Sequence, residues 1–114
     1  MKLQHLALLV HDLSKSRRFY EQYFGFRRHD WQGDLAFLRD ADEFSLVLMK
    51  GEHPPNPGAF HHFGFRVSTA EELQTLRQRL EGDGVPITED VAEPGLLSFK
   101  CTDPDGYTVE VAFE

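Results

Sequence analysis

Two histidines stand at the start of two similar hexapeptides, and their side chains are the strongest candidates for chemistry in this sequence. His5 begins HLALLV and His62 begins HFGFRV, 57 positions further along a chain of 114 residues. If both hexapeptides are β-strands, alternation places each histidine on the same face as the small residue two positions later, Ala7 or Gly64. Two such strands, placed symmetrically, could direct two imidazoles at one point. Because imidazoles bind protons and metal ions near neutral pH, this pair is the leading candidate for a functional site.

The elements that must hold these histidines are also repeated. In the first half, a strand over 5–10 precedes a helix that is capped by Asp12 or Ser14 and ends at Gly25, where a residue with positive φ usually closes a helix. Three short strands follow, over 26–32, 35–39 and 44–49. The first half therefore predicts the order β-α-β-β-β.

The second half predicts the same order. A strand over 60–67 leads to Ser68 and Thr69, which with the glutamates three residues after each offer a capping box for a helix ending near Gly82 and Gly84. Further strands are predicted over 85–91, 96–102 and 107–113. An internal duplication is the simplest explanation of both the repeated histidine and the repeated order of elements.

The two halves are separated by a stretch that is unsuited to a sheet. Residues 50–59 contain three prolines and two glycines, and proline lacks the N–H that a sheet ladder needs. The chain of 114 residues is also too short for two independent cores. We therefore predict a single domain over 1–114, made of module 1–49 and module 60–114 joined by linker 50–59.

Composition limits the partners and the compartment. A hydrophobic content of 40% favours a packed globular protein, and a net charge of −7 argues against binding to nucleic acid. The sequence has neither an apolar run of membrane-spanning length nor a secretory signal at its N-terminus, so we expect no membrane association and a cytoplasmic location. The single cysteine, Cys101, cannot form an internal disulfide and is interpreted as a small apolar strand residue.

The repeated modules and the closing turn Asp-Pro-Asp-Gly resemble the vicinal oxygen chelate superfamily. This superfamily includes glyoxalase I, extradiol dioxygenases, fosfomycin-resistance enzymes, methylmalonyl-CoA epimerase and bleomycin-resistance proteins. The opening HLALLVHDLSKSRRFYEQYFGF and the closing DPDGYTVEV are similar to the two ends of the family's domain. The resemblance implies an α+β fold in which two β-α-β-β-β modules form a curved mixed sheet around a metal-binding cleft.

The resemblance also implies a set of metal ligands. Carried over residue by residue, the four ligand positions of the family fall on His5, Val47, His62 and Glu110. A valine cannot coordinate a metal, so three ligands remain, and Glu110 is the expected catalytic residue as well. Glu110 alternates with two valines and so points away from the apolar face of its strand. Two imidazoles and one carboxylate suit one divalent ion of Fe, Mn, Zn or Ni and leave coordination positions open for a substrate.

The other polar candidates are weaker. His61 adjoins His62 but alternates to the opposite face, so it is a fallback ligand if the register differs by one residue. Asp103 and Asp105 lie in a turn, where short polar side chains bond to the local backbone. The remaining histidines are interpreted as structural or solvated: His11, His29 and His53.

Residues that line a substrate pocket are predicted only from their strands. Aromatic strand residues belong to the core more often than to a binding site. Those best placed to contact a substrate are Trp31, Phe37 and Arg66.

The leading functional hypothesis is a small metal-dependent enzyme whose substrate is chelated through neighbouring oxygens. Lyase, isomerase, dioxygenase and thiol transferase activities all stay open. Val47 disfavours a glyoxalase I, and the four residues after Glu110 leave no room for the C-terminal anion-binding segment of fosfomycin-resistance enzymes. The alternative is a metal-free protein that sequesters a small molecule, as bleomycin-resistance members do. A homodimer is expected in either case.

Overall fold

The computed structural model describes residues 1–52 and 60–114. The chain divides into two compact units, Met1–Pro55 and Asn56–Glu114, and the boundary falls inside the predicted linker. We call these units the first and second modules. Most of the linker, including His53, lies outside the described residues.

The first module forms one mixed sheet and one helix. Its sheet has the order β1-β4-β3-β2, in which β1 and β4 are parallel and the other pairs are antiparallel. The elements in chain order are β1 (His5–Val10), α1 (Leu13–Phe24), β2 (Arg27–Gln32), β3 (Leu35–Arg39) and β4 (Ser45–Lys50).

The second module repeats this arrangement. Its sheet has the order β5-β8-β7-β6, again with a parallel pair formed by the first and last strands. A register shift interrupts the outer strand pair in both sheets, between Arg28 and Asp30 and between Ile87 and Glu89. The elements are β5 (His62–Arg66), α2 (Ala70–Gly82), β6 (Ile87–Glu93), β7 (Leu96–Thr102) and β8 (Thr108–Phe113).

The α+β class and the double β-α-β-β-β order are therefore confirmed, and each module forms its own four-stranded sheet. β1, β3 and β7 have the predicted bounds. The bounds of the other strands differ from the predicted ones by one or two residues at one or both ends. No helix among the described residues is long and apolar enough to cross a membrane.

Local chemistry explains where the helices begin and end. Of the two predicted caps for α1, Asp12 is the one used, because its carboxylate accepts a hydrogen bond of 3.0 Å from the Lys15 N–H. Gly25 closes α1 with φ of 74°. At α2, Thr69 accepts from the Glu72 N–H at 3.0 Å, and the Glu72 carboxylate accepts from the Ser68 N–H at 3.1 Å.

Each helix packs on one face of its own sheet, and alternate strand residues fill the space between them. The opposite face of each sheet we call the helix-free face. The histidines that begin β1 and β5 are exposed, whereas the core-side neighbours Leu8 and Val10 on β1 and Val109 and Val111 on β8 are buried. Alternation therefore directs the predicted ligand positions away from both cores.

Candidate metal centre

The parallel pairing of β5 and β8 brings His62 and Glu110 together. Gly64 pairs directly with Glu110, and His62 lies two residues earlier on the same face. His62 Nε2 is 3.0 Å from Glu110 Oε1, and the two side chains are 27% and 23% exposed. The pair is thus formed within one module and stays accessible to a small ion.

Gly64 makes room for this arrangement. A Cβ atom at position 64 would lie 3.1 Å from the Glu110 carbonyl oxygen and 3.2 Å from the Glu110 Cβ, closer than ordinary van der Waals contact. The small residue two positions after the histidine therefore allows β8 to bring its glutamate close.

The hydrogen bonding of His62 fits a metal ligand. Its Nδ1 lies 2.7 Å from the carbonyl oxygen of Phe60. Because a carbonyl only accepts, Nδ1 carries a hydrogen and donates it, and a neutral ring then turns its Nε2 lone pair towards Glu110 Oε1. A hydrogen bond from the second ring nitrogen to a backbone carbonyl is the usual way in which a metal-binding histidine is oriented.

Two acceptors 3.0 Å apart repel each other unless a cation compensates them. That cation is either a second proton on His62 or a metal ion beside Nε2 and Oε1. One imidazole nitrogen and one carboxylate oxygen are donors that suit a divalent transition metal. The residues present in the second module therefore fit the metal that the sequence predicts.

The first module presents the same positions with different chemistry. Ala7 pairs with Val47 just as Gly64 pairs with Glu110, so Val47 is the register counterpart of the glutamate. His5 is exposed, and its Nδ1 lies 3.2 Å from the Gln4 side-chain oxygen. Among the register partners of β1 and β4, valine therefore occupies the position that the glutamate has in the second module.

All three predicted ligands lie among the described residues, and two of them are in contact. Across 1–52 and 60–114, no three histidine, cysteine, aspartate or glutamate side chains form a group that could hold a metal ion. His62 and Glu110 are paired in the second module, and His5 belongs to the first. A three-ligand site therefore stays a prediction.

A charged row crosses the helix-free face of the second sheet next to this pair. Direct register partners place Glu110 beside Lys100 on β7, and Lys100 beside Glu89 on β6. Lys100 Nζ lies 3.1 Å from Glu89 Oε2. The sequence places Lys100 on a strand that could face the cleft but does not favour it as a substrate contact. In the structure it alternates with the buried Phe99 and Cys101 on β7.

The predicted pocket residues have different surroundings. Trp31 pairs with Ala36, whose side chain is fully buried in the core, and the Arg17 guanidinium on α1 lies 5.7 Å from the indole centroid. Trp31 is therefore on the helix side of its sheet. Phe37 pairs with Val47 on the helix-free face, and Arg66 at the end of β5 lies 3.6 Å from the Glu114 carboxylate.

The secondary candidates have structural surroundings. Asp103 is buried and its carboxylate accepts from the N–H groups of Asp105 and Tyr107, both at 2.9 Å, as predicted for a turn. His29 lies at the register shift of β2. His61 precedes β5, is exposed, and has its ring centroid 6.2 Å from that of Phe60.

Cys101 is not available as a thiolate. Its side chain is fully buried in the second core. Desolvation, with a smaller effect from the negative charge of Asp103, raises the pKa of the thiol to about 12. The neutral thiol is thus the only form present near neutral pH.

Known proteins share this fold and these modules. The family model for the Glyoxalase/Bleomycin resistance protein/Dioxygenase superfamily matches residues 2–111, and the chain belongs to this superfamily. A solved structure of a possible glyoxalase from Bacillus cereus superposes with a TM-score of 0.86 at 35% identity, over 97% of each chain.

Two characterised relatives are similar over almost the whole chain. The chain is 34% identical to glutathione transferase FosA of Serratia marcescens, over 96% of this chain and 78% of the relative. It is 27% identical to the manganese-dependent 2,3-dihydroxybiphenyl 1,2-dioxygenase of Geobacillus genomosp. 3, over 99% of this chain and 36% of that longer protein. The superfamily predicted from sequence is confirmed, and its relatives include a metal-dependent enzyme.

Proposed function

We propose that this protein is a metal-dependent enzyme that acts on a small substrate chelated through neighbouring oxygen atoms. His62 and Glu110 hold the metal together with His5. Two contacts of His62 carry the proposal: Nε2 lies 3.0 Å from Glu110 Oε1, and Nδ1 donates a hydrogen bond to the Phe60 carbonyl. That arrangement turns two acceptors towards a shared cation.

When bound, the metal supplies a Lewis acid with coordination positions open to a substrate. The chain's own residues prepare the site for it. The Phe60 carbonyl fixes the ring orientation and tautomer of His62. Gly64 lets the Glu110 backbone approach, and the alternation of β8 keeps the carboxylate out of the core.

The reaction class stays open among lyase, isomerase, dioxygenase and thiol transferase. Two relatives support different members of this set, one a glutathione transferase and the other a dioxygenase. If a thiol takes part, a small co-substrate must supply it, because Cys101 is buried and its pKa is raised to about 12.

Metal binding is the first test. Protein purified without chelators should contain one divalent ion per chain by elemental analysis. After dialysis against a chelator, the protein should bind Zn(II) or Mn(II) in calorimetry. His62→Ala should abolish that binding, whereas His61→Ala is the matched control on the neighbouring residue. A wild-type protein that binds no divalent ion would overturn the proposal.

Reaction class can then be assigned with a short substrate panel. Loaded protein is incubated with fosfomycin with and without glutathione, with 2,3-dihydroxybiphenyl under air, and with the hemithioacetal of methylglyoxal and glutathione. Val47 in place of a fourth ligand predicts no turnover of the hemithioacetal. Fosfomycin with glutathione is included because the chain is similar to glutathione transferase FosA.

The alternative function is a metal-free protein that sequesters a small molecule. The net charge of −7 would suit a cationic ligand. A sequestering site has no need of an imidazole and a carboxylate that share a cation, so the His62–Glu110 pair favours the enzyme. Binding of a cationic drug that survives both chelator treatment and His62→Ala would favour sequestration instead.

We also propose that the protein is a homodimer. The two modules repeat one fold, and chains built this way can pair their modules within or between copies. Light scattering at micromolar concentration should give twice the chain mass of 13.1 kDa. A monomeric mass would overturn this part of the proposal.

A further inference from the structure

Lys100 is the charged residue that pairs with Glu110 across the β7–β8 strand pair. The two residues are direct register partners of an antiparallel pair, so their side chains leave the same face roughly 5 Å apart at Cβ. Glu89 is the next residue along the same row, on β6. The helix-free face thus presents negative, positive and negative groups in order, beginning at the candidate metal ligand.

The two members of the Lys100–Glu89 pair are not equally fixed. The Lys100 side chain is 18% exposed, whereas that of Glu89 is 53% exposed. An exposed carboxylate is well solvated whether or not it is paired, so Glu89 can turn towards water at little cost. The Lys100 side chain is largely covered, which fixes the position of its ammonium better than that of the Glu89 carboxylate, so Lys100 can exchange Glu89 for another anion.

The same row of the first module has no such group. Ala7, Val47 and Phe37 are successive register partners there, so the corresponding position to Lys100 is occupied by Phe37. The lysine is therefore not a requirement of the repeated sheet.

A divalent ion at His62 and Glu110 would also leave the charged row of the second module with a net positive charge.

We propose that Lys100 is a specificity-determining residue that binds an anionic group of the substrate. The substrate class is then a small molecule with neighbouring oxygens for the metal and a separate carboxylate, phosphate or phosphonate for the ammonium. Binding replaces Glu89 as the ion partner of Lys100. This inference rests on the proposed function, because it requires a chelated substrate beside Glu110.

The test uses two catechols that differ in one substituent, which is a carboxylate in one and a neutral amide in the other. 3,4-Dihydroxybenzoate and 3,4-dihydroxybenzamide carry the same vicinal oxygens, and only the benzoate has an anionic group. Calorimetry on the full-length protein loaded with Zn(II), which is redox-inert, measures both affinities. The wild-type protein should prefer the benzoate by about tenfold, as expected for one charged hydrogen bond.

Two substitutions separate anion binding from a structural role of the ion pair. Lys100→Met keeps an unbranched apolar stem but removes the ammonium, so it should reduce the preference to near unity with little change in benzamide affinity. Glu89→Gln frees Lys100 and should raise the preference a few-fold. Both variants break the same ion pair. If that pair only stabilised the structure, the preference for benzoate would change in the same direction in both variants.

Controls make failure of the inference distinguishable from failure of the proposed function. Zn(II) affinity and the thermal midpoint of each variant are measured alongside chelator binding. A wild-type protein that binds neither Zn(II) nor the chelators would overturn both proposals. If Zn(II) and both chelators bind but the preference is absent in wild type, or unchanged in Lys100→Met, only the role of Lys100 is overturned.

Discussion

His62 Nε2 and Glu110 Oε1 lie 3.0 Å apart although 48 positions separate the two residues in sequence. Their strands are the first and last of the second module and pair in parallel. Because His62 donates from Nδ1 to the Phe60 carbonyl, a neutral ring leaves Nε2 as an acceptor, and the contact then needs a shared cation. Replacing either residue should therefore change cation binding more than it changes the fold.

The variant Glu110→Gln tests this relationship directly. The amide keeps the shape of the carboxylate but removes its charge, so Zn(II) affinity should fall at least about tenfold. The loss is measured by competition with a chromophoric chelator. His61→Ala, on the adjacent residue, should keep wild-type affinity, and an equal loss in both variants would argue against a specific role of Glu110.

A methyl group at Gly64 should disturb the site through the backbone. The added Cβ would lie 3.1 Å from the Glu110 carbonyl oxygen, so β8 must shift by a few tenths of an ångström. Gly64→Ala should reduce Zn(II) affinity several-fold and lower the free energy of unfolding by about 1 kcal/mol.

Gly82 provides the matched glycine control for that variant. A Cβ at position 82 would have no atom within 4 Å, so Gly82→Ala should leave Zn(II) affinity unchanged and should keep or slightly raise stability, since Gly82 ends a helix. Wild-type zinc binding by Gly64→Ala would show that the approach of the two strands is not limiting.

Cys101 should be inert in the folded protein and should make stability depend on alkaline pH. Its folded pKa is raised from 9.0 to about 12, so the unfolded chain loses the thiol proton first as the pH rises. Its contribution is thus fully present below pH 9 and is lost progressively towards pH 12. Urea unfolding should show a smaller decline over this interval in Cys101→Ala than in wild type.

Thiol titration gives a second measurement for Cys101. A disulfide reagent at pH 8 should label the native protein far more slowly than the urea-unfolded protein, because the side chain is fully buried. Rapid stoichiometric labelling of the native state would contradict the buried, neutral thiol.

Asp90 should contribute stability that is lost in acid. Arg77 binds it through two hydrogen bonds of 2.9 Å, and this bonding lowers the pKa of the Asp90 carboxyl below 3.8. The stabilisation is present above the unfolded value and is lost as the pH falls through the lower folded value. Asp90→Asn should cost up to about 1 kcal/mol at pH 7, since the pair is partly exposed.

Chemical denaturation at several pH values checks the Asp90 prediction. The difference between wild type and Asp90→Asn should narrow as the pH falls below 3.8, because the unfolded carboxyl is protonated first and the folded carboxyl at lower pH. If the difference in unfolding free energy stayed constant from pH 7 to below pH 3.8, the effect of the substitution would come from packing and not from the charge of Asp90.

Much of the fold could be predicted because local chemistry and global topology agree. The Asp12 cap and the positive φ at Gly25 are decided within a few residues, so the bounds of α1 follow from sequence. Alternation likewise fixes the faces of His62 and Glu110, because their strands are regular where the two residues lie. These signals are short-range and need no knowledge of the neighbouring strands.

The surroundings of Trp31 and Lys100 could not be predicted in this way. A register shift between Arg28 and Asp30 precedes Trp31, so its face cannot be counted along the strand. The importance of Lys100 depends on which residue of β8 lies opposite it, and register is set by packing and turns rather than by β7 alone. Whether His5 completes the ligand set also depends on long-range arrangement, so this assignment stays a prediction.

The parallel pairing of β5 with β8 determines when, during folding, the candidate ligands can come together. The candidate ligands can meet only after the chain between them has folded and the last strand has joined the first, so their contact carries a large loop-closure entropy. A nascent or partly unfolded second module would hold a histidine and a glutamate but no binding site. Metal uptake would therefore report completed folding of the module, and a bound ion would stabilise the folded state by mass action.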